Sequence, residues 1–187
     1  MDLDSVLTRR PSPGSAAPCG AAPPKGPGRL RRARAAAAAV VPGCGAVVAA
    51  LLAIAAIGAL IGEPVLIPSL AASAAVLHHT PTLPTAQPRT VVVAHLLGAA
   101  AGYAVLAAAP SSPWSAALAA GLTFAATSLT RTPHSPACAT AVVVVFQGPA
   151  PARFVPLLFC ATVVLVLGGL AASRLHRSAP RYPVRWW

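Results

Sequence analysis

Residues 35–62, AAAAAVVPGCGAVVAALLAIAAIGALIG, run for 28 positions without a charge. At about 1.5 Å per residue, a helix of that length crosses ~30 Å of hydrocarbon with some tilt, so the stretch predicts a first membrane-spanning helix. From Ala35 to Ser173 the chain holds only four formal charges, Glu63, Arg89, Arg131 and Arg153, while eleven of its 14 basic residues lie in the two ends. An unpaired charge at the centre of a bilayer costs roughly 2.5–3.5 kcal/mol, so a region this poor in charge suits lipid and not a wetted surface. The whole chain is 9% charged and 56% apolar, against about 25% charged for soluble domains, and the expected class is an all-α polytopic membrane protein.

The formal net charge of +11 would suit nucleic acid if the arginines were interleaved with aromatics on a folded face, but they flank apolar runs instead. Arg29, Arg31, Arg32 and Arg34 precede the first run, and Arg174, Arg177, Arg181 and Arg185 follow the last. The positive-inside rule accounts for them, with both termini cytoplasmic and no nucleic-acid partner. Residues 1–34 have no apolar period and predict a disordered basic tail rich in Pro and Ala; residues 35–175 form the transmembrane domain and 176–187 a basic cytoplasmic tail. Asp2 and Asp4 argue against a plastid transit peptide, which makes a bacterial inner membrane the expected location. Cys19, Cys44, Cys138 and Cys160 are scattered without metal-site or disulfide spacing.

After the first helix comes a short apolar piece, Ile67 to Leu77, broken by Pro64 and Pro68 and only about 16 Å long as a helix. Next is a polar, proline-rich connection, His78 to Pro88. Pro110-Ser111-Ser112-Pro113 then divides two further spans, Thr90 to Ala109 and Trp114 to Thr130. Ala137 to Gln147 is again about 16 Å long, and Phe154 to Ser173 makes the last span. The expected fold is therefore four long transmembrane helices plus two short broken or half helices, in the outline of a 3+3 inverted repeat. Six crossings and four crossings with two re-entrant helices both return the tails to the same side.

A broken helix presents unpaired backbone N–H groups at its start, and with the helix dipole these suit an anion. Ser69 and Ser73 stand on the first short helix; His134, Ser135 and Thr140 stand at or on the second. Local capping or back-bonding is the competing account of these hydroxyls. Arg89 and Arg131 lie beside the breaks, either snorkelling to the interface or raising the positive potential at a pore mouth. His95, six residues into an uncharged helix, is either a functional ionisable group or a neutral histidine bonded to a neighbouring helix. His78, His79 and His134 lack an accompanying carboxylate or cysteine pair, so no metal or cofactor is expected. With Glu63 as the one carboxylate of the apolar region, an enzyme is not expected either.

The stretch Thr130-Arg131-Thr132-Pro133-His134-Ser135-Pro136-Ala137-Cys138-Ala139-Thr140 resembles the HPP family of integral membrane proteins, named for a His-Pro-Pro motif. Pro68 to Leu77 is similar to the family's Gly-Ser-Phe-Gly-Ala-Ser-Ala segment, Gln87-Pro88-Arg89 to its Gln-Pro-Arg motif, and His95 with Gly102 to the helix that follows. Ser135 replaces the middle proline, and Ala137-Cys138 replaces a Gly-Gly pair. Plastid and cyanobacterial members are implicated in nitrite transport, so the resemblance implies a transporter or channel for a small inorganic anion, nitrite first. Ser69, Ser73, Arg89, His95, Arg131, His134, Ser135 and Thr140 are the candidate substrate-binding residues, and the anion, the lipid bilayer and a homo-oligomer the expected partners. The competing class is a membrane-embedded structural or assembly protein without flux.

Overall fold

The computed structural model describes residues 28–63, 65–175 and 181–186. Residues 37–187 form one compact unit; of the other, residues 1–36, the described part is the beginning of the first helix. Six α-helices follow in order among the described residues: α1 Arg29–Ile61, α2 Pro68–His79, α3 Pro88–Ala108, α4 Pro113–Leu129, α5 Pro136–Gln147 and α6 Pro151–Leu175. A single 3₁₀ turn, Pro84–Ala86, precedes α3.

Every helix after the first opens on a proline. At the first helical position the missing N–H is one that no helix would pair, and the fixed φ already suits the helix. Expected starts at Thr90, Trp114 and Ala137 accordingly move back to Pro88, Pro113 and Pro136. The first helix begins at Arg29, inside the segment expected to be unstructured, because alternating Arg and Ala are strong helix formers. The rest of that expected tail, residues 1–27, lies outside the described residues.

Among the described residues, three helical segments are long and apolar enough to cross a membrane: Gly43–Ile61, Pro88–Ala108 and Pro151–Leu175. Helix α4, at 17 residues, is about 26 Å long, short of the ~30 Å of hydrocarbon. The two half-length helices α2 and α5 have 12 residues each, about 18 Å. Val48, Leu52, Leu60, Leu122, Phe124 and Phe159 are exposed, an apolar surface that suits lipid contact.

Helix α3 packs against α4, α5 and α6, and α2 packs against α5 and α6. One core cluster joins Ile54, Leu70, Leu77, Val91, Val144 and Leu165 across five helices. A second, around Val105, Ala119 and Val145, binds α3, α4 and α5. The close approach of α3 to α5 depends on two glycines one turn apart. A β-carbon on Gly98 would collide with the Ala137 carbonyl oxygen, and one on Gly102 would come within 2.7 Å of Val144 Cβ.

Polar contacts define the two ends of the bundle. At one end Arg153 pairs with Glu63 at 3.0 Å, and the Tyr103 hydroxyl donates to the Pro149 carbonyl at 3.0 Å. At the other end Arg89 Nη2 donates to the Thr130 carbonyl at 3.4 Å. The C-terminal segment returns to this second end: the backbone N–H groups of Val184 and Arg185 donate to Gln87 Oε1 at 3.0 and 3.1 Å. Tyr182 is buried there, and its ring packs on Gly169.

Replacing Gly102 with Val should therefore lower the thermal unfolding midpoint in detergent, by the ~1–3 kcal/mol typical of overpacking. Gly121, with nothing within 4 Å of an added β-carbon, should accept Val with a far smaller change by the same measurement.

Candidate functional site

The centre of the bundle holds five polar side chains on three helices and one loop. Ser69 and Ser73 lie one turn apart on α2, His95 on α3 and Thr140 on α5; all four are fully buried, and His134, two residues ahead of α5, is nearly so. Each helix is positioned by the packing just described. His95, Gly98 and Gly102 share one face of α3, and the glycines bring that face against α5, where Thr140 stands.

Ser73 Oγ is the junction. It lies 2.8 Å from His95 Nε2 and 2.8 Å from His134 Nε2, and 2.9 Å from the Ser69 carbonyl. The far nitrogen of His95, Nδ1, is 2.7 Å from Thr140 Oγ1, which is 2.9 Å from Ser69 Oγ. The far nitrogen of His134, Nδ1, donates to the Thr85 carbonyl at 2.8 Å, in the 3₁₀ turn. The two imidazoles meet edge to face, with ring centroids 5.2 Å apart. Helices α2 and α5 thus cross antiparallel at their first turns, Ser69 opposite Thr140 and Ser73 opposite His134.

A pocket of about 320 Å³ opens at the end of the bundle that carries Arg89. Its walls include Gln87, Arg89, Thr90, Arg131, Arg185 and Trp186, and among the described residues no Asp or Glu lines it. Arg131 has φ 56°, a conformation uncommon outside glycine, which turns the chain between α4 and the loop to His134. Pro84, in the same walls, is the neighbour of Thr85. A pocket of about 210 Å³ at the opposite end is lined by Glu63, Ile67, Gln147, Arg153 and Phe154.

The structure brings Ser69, Ser73, His95, His134 and Thr140 into one network, and Arg89 with Arg131 into one pocket. Ser135 joins neither. It is exposed and already has helical φ and ψ of −54° and −38°, so its side chain makes no cap. Three contributors were absent from the sequence-derived site: the Thr85 carbonyl, Arg185, and Gln87 as the anchor of the C-terminal segment. Gln87 alone had a signal, since a lone amide in a proline-rich connection between apolar helices needs a buried partner. His78 is half-buried and His79 exposed, and neither hydrogen-bonds to the network. Among the described residues no three His, Cys, Asp or Glu side chains are grouped to hold a metal ion.

Apolar helices packed around a buried polar junction define a polytopic helical membrane protein. Residues 31–183 match the family model described as HPP, transmembrane region, and the chain belongs to that family. Among curated proteins it is similar to a transmembrane protein of Dictyostelium discoideum, 33% identical over 132 residues, which is 66% of this chain and 46% of that protein. A second transmembrane protein of the same organism is 30% identical over 131 residues, 65% of this chain and 42% of its own length. The chain thus spans less than half the length of these relatives. No solved structure matches it.

Thr140→Val keeps the shape of the side chain and removes its hydroxyl, leaving Ser69 Oγ and His95 Nδ1 without their partner. Unfolding in detergent should show a loss of about 1–3 kcal/mol, the cost of buried unsatisfied groups. Ser135→Ala, at an exposed uncapped position, should unfold like the parent.

Proposed function

We propose that this protein is a transporter or channel for a small inorganic anion. The observation that carries the reading is the pocket formed by Arg89, Arg131 and Arg185, which among the described residues has no Asp or Glu in its walls and abuts the turn that holds His134. Three guanidinium groups around about 320 Å³ form an electrostatic funnel for an oxyanion, with planar donors matched to its oxygens. The crossing of two half-length helices at their first turns adds support, because non-helical backbone at membrane depth belongs beside a cavity or inside protein. Nitrite is the first anion to test, on the family resemblance alone.

The order long, short, long, repeated once, and the antiparallel crossing of α2 with α5 favour an inverted repeat of α1–α3 and α4–α6, with α4 completing a fourth span by local thinning of the bilayer. The end carrying Arg89, Arg131, Arg174 and Arg185 is assigned to the cytoplasm by the positive-inside rule, with both termini there, in a bacterial inner membrane. The chain is assigned no catalytic role.

A second reading, a structural or assembly protein without flux, is favoured by one feature. The hydroxyls of Ser69, Ser73 and Thr140 are satisfied by one another and by the histidines, as in a packing junction.

Uptake of a panel of small anions into proteoliposomes separates the two readings. The transporter reading expects saturable flux, with Arg89→Gln and Arg131→Gln each raising the half-saturating concentration about tenfold, the loss of one charge-assisted hydrogen bond. Gln keeps the β-carbon at Arg131, so the backbone conformation is not the variable. Arg153→Gln, at the opposite end beside Glu63, should transport like the parent. Absence of flux for every anion would favour the structural reading.

A further inference from the structure

The buried network contains two imidazoles and three hydroxyls in one series, with the Ser69 carbonyl as a side branch at Ser73, and its hydrogens can be assigned from one end to the other. The Thr85 carbonyl can only accept, so His134 Nδ1 bears a hydrogen. In a neutral ring His134 Nε2 is then a bare acceptor. The Ser73 hydroxyl has two acceptors in reach, this nitrogen at 2.8 Å and the Ser69 carbonyl at 2.9 Å, and giving its hydrogen to the nitrogen leaves neither without a donor, because the carbonyl one turn back keeps its helical N–H. Ser73 has only that one hydrogen, so it accepts from His95 Nε2–H at 2.8 Å. Neutral His95 is left with a bare Nδ1, which accepts the Thr140 hydroxyl, and Thr140 in turn accepts the hydroxyl of Ser69. The unloaded series therefore runs Ser69 to Thr140 to His95 to Ser73 to His134 to Thr85, with each link carrying one hydrogen in the same direction.

We infer that this series is a site for one proton, loaded at Ser69 and held at His134, and that the proton moves together with the transported anion. A proton arriving at Ser69 Oγ from water displaces the hydrogen already there to Thr140 Oγ1. The Thr140 hydrogen passes to His95 Nδ1, the His95 Nε2 hydrogen to Ser73 Oγ, and the Ser73 hydrogen to His134 Nε2. Five N–H or O–H bonds form; four break in the series and a fifth in the donor water. No electrons are transferred. The loaded series has the four links from Ser69 to His134 reversed, with Thr140 donating to Ser69 and Ser73 donating to His95, while His134 Nδ1 still donates to Thr85. His134 carries the charge, while His95 stays neutral and exchanges one tautomer for the other. Every link between Ser69 and His134 keeps one hydrogen in either arrangement; on loading, the Ser69 hydroxyl, which no longer donates to Thr140, is the one group that needs a new acceptor.

The surroundings give the two ends different roles. Ile67, two residues before Ser69, lies in the wall of the pocket beside Glu63 and Arg153, so the start of α2, and with it the Ser69 end of the series, adjoins that pocket. Pro84, next to Thr85, lies in the wall of the arginine pocket, so the loaded charge rests beside the place where an anion would collect. The other titratable or charged groups on the elements around the rings are His78 and His79 on α2, Arg89 and Tyr103 on α3, Arg131 ahead of α5 and Cys138 on α5. None of these hydrogen-bonds to the series. Helix α4 has no ionisable side chain, and Arg153, Cys160 and Arg174 of α6 are exposed. The nearby arginines oppose a charged His134 when the pocket is empty, and an anion in the pocket cancels that opposition. By linkage the proton then strengthens anion binding by the same factor that the anion strengthens proton binding. This coupling rests on the transporter reading; the proton site itself does not.

Nitrogen-15 NMR of imidazole-labelled protein in lipid vesicles, titrated with pH, tests both parts. Single His→Gln variants assign the signals. As pH falls, His134 Nε2 should become protonated, and in the same step His95 should move its hydrogen from Nε2 to Nδ1 without becoming a cation. Nitrite should raise the midpoint by about one pH unit, a tenfold coupling. In Ser73→Ala the tautomer change of His95 should vanish while His134 still titrates. If that variant does not fold, the wild-type spectra decide alone. A His95 that keeps one tautomer throughout, or that titrates independently to a cation, overturns the proton site. A coupled tautomer change that nitrite leaves unmoved keeps the proton site and overturns its coupling to the anion, and absent flux in the uptake assay then removes the transporter reading separately.

Discussion

Inside a bundle bounded by lipid, a polar side chain must find its partner in the protein, because hydrocarbon offers none. Ser73 Oγ concentrates that constraint. One oxygen on a half-length helix is held within 2.8 Å of two imidazoles from two other segments, which fixes how α2, α3 and α5 can be arranged. The glycines at 98 and 102 serve the same end, since a larger residue at either would push α3 off α5 and part His95 from Thr140. Apolar packing around Leu70, Val91 and Val144 then encloses the junction on all sides.

The two ends of the bundle are built differently. One closes with an exposed ion pair, Glu63 with Arg153, which contributes little stability in a solvated setting. At the other, Gln87 holds the backbone of residues 184 and 185, and with it Arg185, over a pocket that already contains Arg89 and Arg131. A segment that sequence reading treats as a free basic tail thereby becomes part of the wall. The positive charge there is concentrated by folding as well as by composition.

Much of the helix order was legible in the chain. The expected starts of α2 to α5 lay within two residues of the observed ones and that of α6 within three, and the short apolar runs at 67–77 and 137–147 were read as half-length helices. His95 stood out because an imidazole within an uncharged span needs a partner. Which partner it has was not legible, because the contacts that answer the question join residues 22, 45 and 61 positions apart, and no local pattern encodes them. The hydroxyls of Ser69, Ser73 and Thr140 were expected to serve an anion directly, whereas folding turns them toward one another and the two rings. Ser135 was grouped with them as a hydroxyl at the start of the second short helix, but there its backbone is already helical, its side chain makes no cap and the residue is exposed. The onset of α1 at Arg29 was hidden by the prolines and glycines just before it.

On the proposed reading, the positive pocket gathers the anion and the buried series supplies the proton that offsets its charge. The central claim is met most directly by recording internal anion and internal pH at once in proteoliposomes given an inward nitrite gradient. Coupled transport predicts that acidification of the lumen accompanies nitrite entry in fixed proportion, and that both cease together in His134→Gln. Nitrite entry with no matching proton movement, or entry that persists unchanged in His134→Gln, would contradict the account.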